Sequence, residues 1–367
     1  MPINFARRRR NFRKQFKAAG AQSALVTNEL NVRYLTGFTG DSSFLWLNGK
    51  HELLLSDSRY SLQISRECPD LETVIRDSKI DIWQLAVNTL SRMDAQNMAL
   101  ETHHLTKQNY DRLVSRLAKI TPVPTNGLVE NLRSIKDAQE LATIRKAIGI
   151  AERSFDVIRA QLTGDQTELQ IAHNLEHQIR AFGGTRCAFD PIVGVGKNGA
   201  LPHGQPSPNS RVSDAPFLLM DWGAQYQGYA SDLTRILVTA RISPKLRKIY
   251  NLVLKAQLSA IGKIRNGARL VDVDRAARKT IEDGGFGKKF GHGLGHGFGL
   301  QIHENPFLTP TATGVLKTGM VITIEPGIYL PSWGGIRIED DVLVTEDGFE
   351  VLTSTPKELD QCVVDMR

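Results

Sequence analysis

The 367-residue sequence predicts an α/β domain over residues 1–130, followed by an α+β domain over residues 131–367. Through the first part of the chain, short strand-like and helix-like patterns alternate, as they do when helices cover a sheet. Thr121-Pro122-Val123-Pro124-Thr125-Asn126-Gly127 then breaks the pattern and reads as a linker or domain edge. Beyond it, long helical periodicities and apolar strands suit helices packed against a largely antiparallel sheet.

Phe5, Phe12 and Phe16, spaced among arginines and lysines, predict an amphipathic first helix with a solvated basic face. Ser23–Thr27, Phe44–Leu47, Glu52–Leu55 and Met98–Glu101 are apolar or alternating runs of strand length, and helical patterns cover Tyr60–Arg66 and Ile82–Met93. After the break, Asp137 and Glu140 have the spacing of a capping box, with Ile144, Ile148, Ala151, Phe155 and Ile158 following at helical intervals. Further helices are predicted over Glu168–Phe182, Lys245–Ile264 and Val271–Glu282, and strands over Phe217–Gly223, Tyr229–Val238, Val321–Glu325 and Ile336–Val344. No internal repeat stands out.

The net charge of +7 invites a nucleic-acid reading, but seven of the 46 basic residues fall within residues 1–17, where no acid occurs. The remaining basic residues balance the 39 acids, so no basic face for nucleic acid is expected. No apolar stretch reaches the ~18 residues of a membrane span, and no apolar segment follows the N-terminal arginines as in a secretory signal. Cys68, Cys187 and Cys362 are scattered without CxxC spacing, which suits thiols in a reducing compartment. The expectation is a cytoplasmic protein without membrane or nucleic-acid partners.

Chemistry concentrates in Gly291-His292-Gly293-Leu294-Gly295-His296-Gly297-Phe298-Gly299-Leu300-Gln301-Ile302-His303-Glu304. Glycine at alternate positions is too costly for a helix interior, at about 1 kcal/mol each relative to alanine, so this is extended or looping backbone. Three of the chain's nine histidines lie in the run, more than a glycine-rich turn would hold by accident. It is not a zincin helix, because Phe307 occupies the position four after His303, and no Gly-Lys-Ser/Thr closes a phosphate loop.

Carboxylates stand in apolar strands elsewhere in the C-terminal part. Asp221 interrupts Phe217–Gly223, and a turn centred between Tyr226 and Gln227 would place Asp232 directly opposite it, with Cβ atoms about 5 Å apart. Two facing acids in a partly buried sheet call for a cation between them or a retained proton. Glu325 ends Val321-Ile322-Thr323-Ile324, and Glu339 lies inside Ile336-Arg337-Ile338-Glu339-Asp340. Four carboxylates and one imidazole suit two hard-to-borderline divalent ions, manganese first, with cobalt, iron or zinc also compatible.

These pieces, Asp221 with Asp232-Leu233-Thr234-Arg235, the histidine run through Glu304, Thr323-Ile324-Glu325-Pro326-Gly327 and Arg337-Ile338-Glu339-Asp340, resemble the aminopeptidase P and prolidase family. Ala200-Leu201-Pro202-His203-Gly204 and Asn31–Gly40 extend the resemblance over nearly the whole chain. Methionine aminopeptidases share the ligand pattern but lack the N-terminal domain. The resemblance implies a pita-bread fold for the C-terminal domain and a dinuclear metallopeptidase cleaving Xaa-Pro bonds. Asp221, Asp232, His296, Glu325 and Glu339 would be the metal ligands, with Asp232 and Glu339 shared. His203, His292 and His303 would face the substrate, His203 and His303 in catalysis, with Glu325 moving the water's proton and Arg337 holding substrate or a ligand carboxylate. Ser56-Asp57-Ser58-Arg59-Tyr60 resembles the aminopeptidase branch, with Xaa-Pro dipeptidase the alternative. Proline-containing peptides are the expected partners, and the N-terminal domain implies a homodimer or higher oligomer. A silent pita-bread binding module and a creatinase-like amidinohydrolase are the competing readings, and retention of all five ligands disfavours both.

Overall fold

The structure, a computed structural model, describes residues 3–93, 96–117 and 119–365, and it divides into units of residues 1–133 and 134–367. The first unit contains strands β1 Ser23–Val26, β2 Phe44–Leu47, β3 Glu52–Asp57, β4 Glu72–Arg76, β5 Asn97–Glu101 and β6 Thr121–Thr125. They form one sheet in the order β4-β3-β2-β1-β5-β6, antiparallel at β1–β2 and β2–β3 and parallel elsewhere. Its helices are α1 Phe5–Ala18, α2 Glu29–Thr36, α3 Ser61–Glu67, α4 Ile82–Leu90, α5 Lys107–Arg116 and α6 Leu128–Arg133.

Two readings of this part need correction. The Thr-Pro-Val-Pro-Thr segment read as a linker is the edge strand β6, where Pro122 and Pro124 pair alongside Met98 and Leu100. Proline cannot donate to a ladder, so alternate prolines are tolerated only where one side of the strand has no neighbour. The basic face of α1 is not wholly solvated, since Arg8 and Arg9 are buried with Phe12 and Phe16. Arg9 Nε donates to Glu52 at 2.7 Å and Arg9 Nη2 to Asp70 at 2.5 Å, while the Arg8 guanidinium lies 4.1 Å from the Tyr34 ring centroid. Strand β4 and helix α5 bury too little apolar surface to announce themselves; in α5 only Leu113 is buried.

The second unit opens with α7 Ala138–Ala160, whose capping box from Asp137 and Glu140 forms as the sequence predicts, and α8 Glu168–Ala181. Strands β7 Arg186–Cys187, β8 Ile192–Val195, β9 Phe217–Trp222, β10 Ala224–Tyr226, β11 Tyr229–Ala230 and β12 Leu233–Val238 follow. After α9 Pro244–Ile261 and α10 Leu270–Asp283 come β13 Gly295–Gly297, β14 Glu304–Leu308, β15 Val321–Ile324, β16 Gly327–Leu330, β17 Gly334–Arg337, β18 Asp340–Val344 and β19 Phe349–Val351.

The unit is built twice on one plan that the sequence does not reveal. A packed helix pair, α7 with α8 and then α9 with α10, precedes three antiparallel strands, β8-β9-β12 and then β13-β15-β18. Apolar residues of each helix pair share a core with the strands of their own half.

Both long strands predicted here are broken. Tyr229–Val238 splits at Ser231-Asp232, with β11 in a sheet with β10 and β7, and Ile336–Val344 splits at Ile338-Glu339, with β17 pairing β16. Each break puts a carboxylate at the residue just before the third strand of its half. The hairpin register also differs from the expected one: Asp221 lies opposite Thr234, and Tyr226 opposite Tyr229. The turn is Gln227-Gly228, both in left-handed conformation with φ of 47° and 84°, and it needs glycine at the second position, which moves its centre one residue on. The resulting slip of two residues preserves the face, because strand side chains alternate with period two.

Candidate metal centre

The two halves converge their carboxylates. Oxygens of Asp221, Asp232 and Glu339 lie within 4.8 Å of one another, and all three residues are buried. Asp232 also faces the other half: its Oδ2 is 3.6 Å from His296 Nε2, which in turn is 3.4 Å from Glu325 Oε1. Asp232 is thus common to both groupings.

Their electrostatics call for a bound cation or retained protons. Burial, reinforced by the charges of Glu339, Asp221 and Glu325, holds the Asp232 carboxyl far above its usual range, and Glu339 is raised in the same way. Burial pushes Glu325 up to about 7 and raises Asp221 against the opposing effect of Arg337. His296 Nδ1 lies 3.1 Å from the Gly297 carbonyl, which can only accept, so Nδ1 carries the proton and the Nε2 lone pair points at the carboxylates. Burial, then the neighbouring His303, holds this imidazole neutral with a pKa of about 4. A lone pair facing two carboxylate oxygens is repulsive unless a cation lies among them or a carboxyl keeps its proton. Asp221 Oδ1 is buried without a hydrogen-bond partner, another acceptor aimed at such a charge. The donor set fits divalent ions.

The profile of metallopeptidase family M24 matches residues 142–346, and that of the creatinase/prolidase N-terminal domain matches residues 8–135. The chain belongs to metallopeptidase family M24. It is 33% identical over 347 residues to the uncharacterized peptidase YqhT of Bacillus subtilis, covering 95% of this chain and 98% of that one. Among solved structures it resembles an Xaa-Pro dipeptidase from Bacillus anthracis, with 36% identity, TM-score 0.92 and 97% and 99% of the two chains covered. An X-Pro aminopeptidase from Thermotoga maritima superposes with TM-score 0.87 at 32% identity over 96% of this chain and 100% of that one. A prolidase from Thermococcus sibiricus does so with TM-score 0.89 at 31% identity, covering 98% and 99%. The two-domain architecture with a pita-bread catalytic domain follows, and with it metallopeptidase chemistry of the dinuclear kind found in family M24.

In this M24 chain a cavity of about 370 Å³ opens over the carboxylates. It brings together every site residue singled out in the sequence: His203, His292 and His303 line it together with Asp221, Asp232, His296, Glu325, Arg337 and Glu339. Phe189, Ile192, Pro202, Ile302 and Phe307 give it an apolar wall. The His303 ring packs edge-on to His296 with centroids 4.4 Å apart, and no hydrogen bond ties its nitrogens among the described residues. His203 is exposed on the loop after β8.

Arg337 holds the Asp221 carboxylate. Its Nη2 donates to Asp221 Oδ2, its Nε to Thr234 Oγ1 at 2.9 Å, and its Nη1 to the Tyr329 hydroxyl at 2.8 Å. Thr234 in turn donates to Glu339 Oε2 at 2.6 Å. The His292 Nδ1–H donates to the Gly293 carbonyl at 2.7 Å, so Nε2 accepts from Tyr329 at 2.9 Å, and both ring nitrogens are occupied by the protein. Sequence reasoning missed Tyr329 and Thr234. Thr234 carried a usable signal, standing two residues after Asp232 on the same strand face. Asp341 was missed as well; its Oδ2 accepts the Asp232 backbone N–H at 3.2 Å and fixes the break that aims Asp232.

Proposed function

We propose that the protein is an Xaa-Pro aminopeptidase that holds two divalent ions on Asp221, Asp232, His296, Glu325 and Glu339, with Asp232 and Glu339 shared. The equivalent places of Asp232 and Glu339, each just before the third strand of its half, support the sharing. Manganese is the first choice, with cobalt, iron and zinc compatible, because four carboxylates and one imidazole make a mainly hard donor set. Such ions supply Lewis acidity and lower the pKa of water enough to give hydroxide near neutral pH.

The chain's own groups do the rest. His303 and His203, with ring nitrogens open to the cavity, orient the scissile carbonyl and donate to the oxygen as it gains charge. Glu325 takes the proton of the attacking water and passes it to the leaving nitrogen. His292 presents its ring to the substrate, while its Nε2 holds Tyr329 in place for Arg337. A bond to proline lacks an N–H, so the substrate cannot rely on strand-like pairing there and needs a pocket for the pyrrolidine ring. The apolar wall with Ile302 and Phe307 offers one.

The observation that favours an aminopeptidase over a dipeptidase is the state of Arg337. It is the one guanidinium among the described residues lining the cavity, which include no lysine, and all its nitrogens are engaged by Asp221, Thr234 and Tyr329. An Xaa-Pro dipeptide would bring a carboxylate next to the scissile bond without an unengaged guanidinium or ammonium among the described lining residues to receive it, whereas a longer peptide brings a neutral amide. The named relatives divide between the two activities, so resemblance alone does not choose. The reading includes a cytoplasmic location, which suits three unpaired cysteines, and a homodimer or higher oligomer, which rests on the N-terminal domain's resemblance. The test compares Ala-Pro, Ala-Pro-Ala and Ala-Ala-Ala under one manganese concentration. Ala-Pro-Ala should be cleaved best; cleavage of Ala-Pro alone would make the enzyme a dipeptidase, and equal cleavage of Ala-Ala-Ala would remove proline specificity.

A further inference from the structure

The segment joining β7 to β8 carries two residues more than the chain it faces. Cys187 lies opposite Ala224 and Ile192 opposite Asp221, so four residues, 188–191, face two, 222–223. The surplus bulges, and Phe189 and Asp190 line the cavity. Bulges re-aim side chains and are over-represented beside active sites. Asp190 is exposed, and its carboxylate makes no hydrogen bond or ion pair among the described residues. The other carboxylates lining the cavity, Asp221, Asp232, Glu325 and Glu339, all belong to the proposed ligand set. Asp190 is therefore a carboxylate of the cavity that lies outside the proposed ligand set and has no ion-pair partner among the described residues.

Its distance from the chemistry suits one end of a peptide. Ile192 faces Asp221 across the ladder, where Cβ atoms stand about 5 Å apart. Asp190 precedes Ile192 by two residues, roughly 7 Å in extended chain and less in a bulge. A group bound at Asp190 would thus lie within one residue's reach of a carbonyl held at the carboxylate cluster. The first residue of a peptide carries a cation at that reach, either its α-ammonium or the charged end of a lysine or arginine side chain.

We propose that Asp190 is a cation subsite for the residue preceding the scissile bond, with the Phe189 ring beside it covering the aliphatic part of that residue. The subsite rests on the Xaa-Pro peptidase reading and is tested so that the two fail separately. Wild type, Asp190→Asn and Asp190→Glu, each checked for equal metal content, are assayed on Ala-Pro-Ala and Arg-Pro-Ala. Binding of the uncleavable products L-alanine and L-arginine is followed by NMR on the zinc-loaded proteins. Asp190→Asn should raise KM by about 10–100-fold, as for loss of a charge-assisted hydrogen bond, with kcat changed less, and Asp190→Glu should recover part of it. An equal rise for both peptides identifies the α-ammonium as the bound group, and a rise confined to the arginine peptide identifies the side chain. If Asp190→Asn leaves both KM values and both product affinities within twofold of wild type, the subsite is refuted. If wild type cleaves neither peptide, the peptidase reading falls, and the subsite is decided by the amino-acid affinities alone.

Discussion

His296 and His303 lie edge to edge but touch different things. The His296 Nε2 faces Asp232 and Glu325, whereas the His303 nitrogens have no partner among the described residues and open onto the cavity. Replacing His296 with alanine should therefore lower metal occupancy, measured by elemental analysis, and activity should fall with it. Replacing His303 with alanine should leave most of the metal while kcat falls about 10²–10³-fold, the usual effect of losing an oxyanion donor. Equal metal loss in the two variants would make His303 a ligand as well. At this scale the sequence was informative, because histidines in a glycine run and acids in apolar strands are each unusual enough to notice. What it hid was the support behind them. Nothing in the spacing of Thr234, Tyr329 and Arg337 says that one guanidinium fork joins a threonine, a phenol and Asp221, since that junction exists only once four strands are folded together.

Strand β13 sits against β15 because glycine permits it. A Cβ on Gly295 would lie 2.0 Å from the Thr323 carbonyl oxygen and 2.8 Å from its Oγ1. That same Oγ1 accepts the His296 backbone N–H at 3.0 Å and donates to Glu325 Oε1 at 3.1 Å, so the close approach sets two of the proposed ligands at once. The Gly295→Ala variant must push the strands apart or fail to pair them. It should lose metal binding and unfold at lower temperature, whereas Gly291→Ala, with nothing within 4 Å of the added methyl, should match wild type in both. Metal content and melting temperature of Gly295→Ala equal to those of Gly291→Ala would show that β13 is not held by this contact. Elements were legible where burial was periodic, as in α7 with its capping box, and poorly legible where the chain changes sheets. The apolar pattern runs on through Ser231-Asp232 and Ile338-Glu339, so each broken strand reads as a single one, although the breaks are what turn Asp232 and Glu339 toward each other.

For the whole molecule, the consequence of converging both halves is a buried group of acids whose charges oppose folding until something positive binds. The two-part organisation showed in the sequence as a change from alternating short elements to long helices and strands. The duplicated plan of the second unit did not, because packing a helix pair on three strands constrains burial and leaves residue identity free. Among the described residues, no helix is long and apolar enough to cross a membrane. Each half contributes carboxylates, and burial with mutual repulsion raises Asp232 and Glu339 well above the ordinary range. Ions that bind only the folded protein add stability as RT ln(1 + [ion]/Kd), about 2.7 kcal/mol at a hundredfold excess over Kd. For a domain of this size, each kcal/mol moves the melting temperature by roughly 2–4 °C. Removing metal with a chelator should thus abolish peptidase activity and lower the melting temperature by about 5–10 °C, and added Mn²⁺ or Co²⁺ should restore both. The two readouts are independent, since loss of activity tests the chemistry and loss of stability tests the site. Full activity in protein shown by elemental analysis to be metal-free would overturn the metallopeptidase mechanism. A melting temperature indifferent to chelation, with metal demonstrably removed, would mean that the acids stay protonated and that the ions contribute little to holding the two halves together.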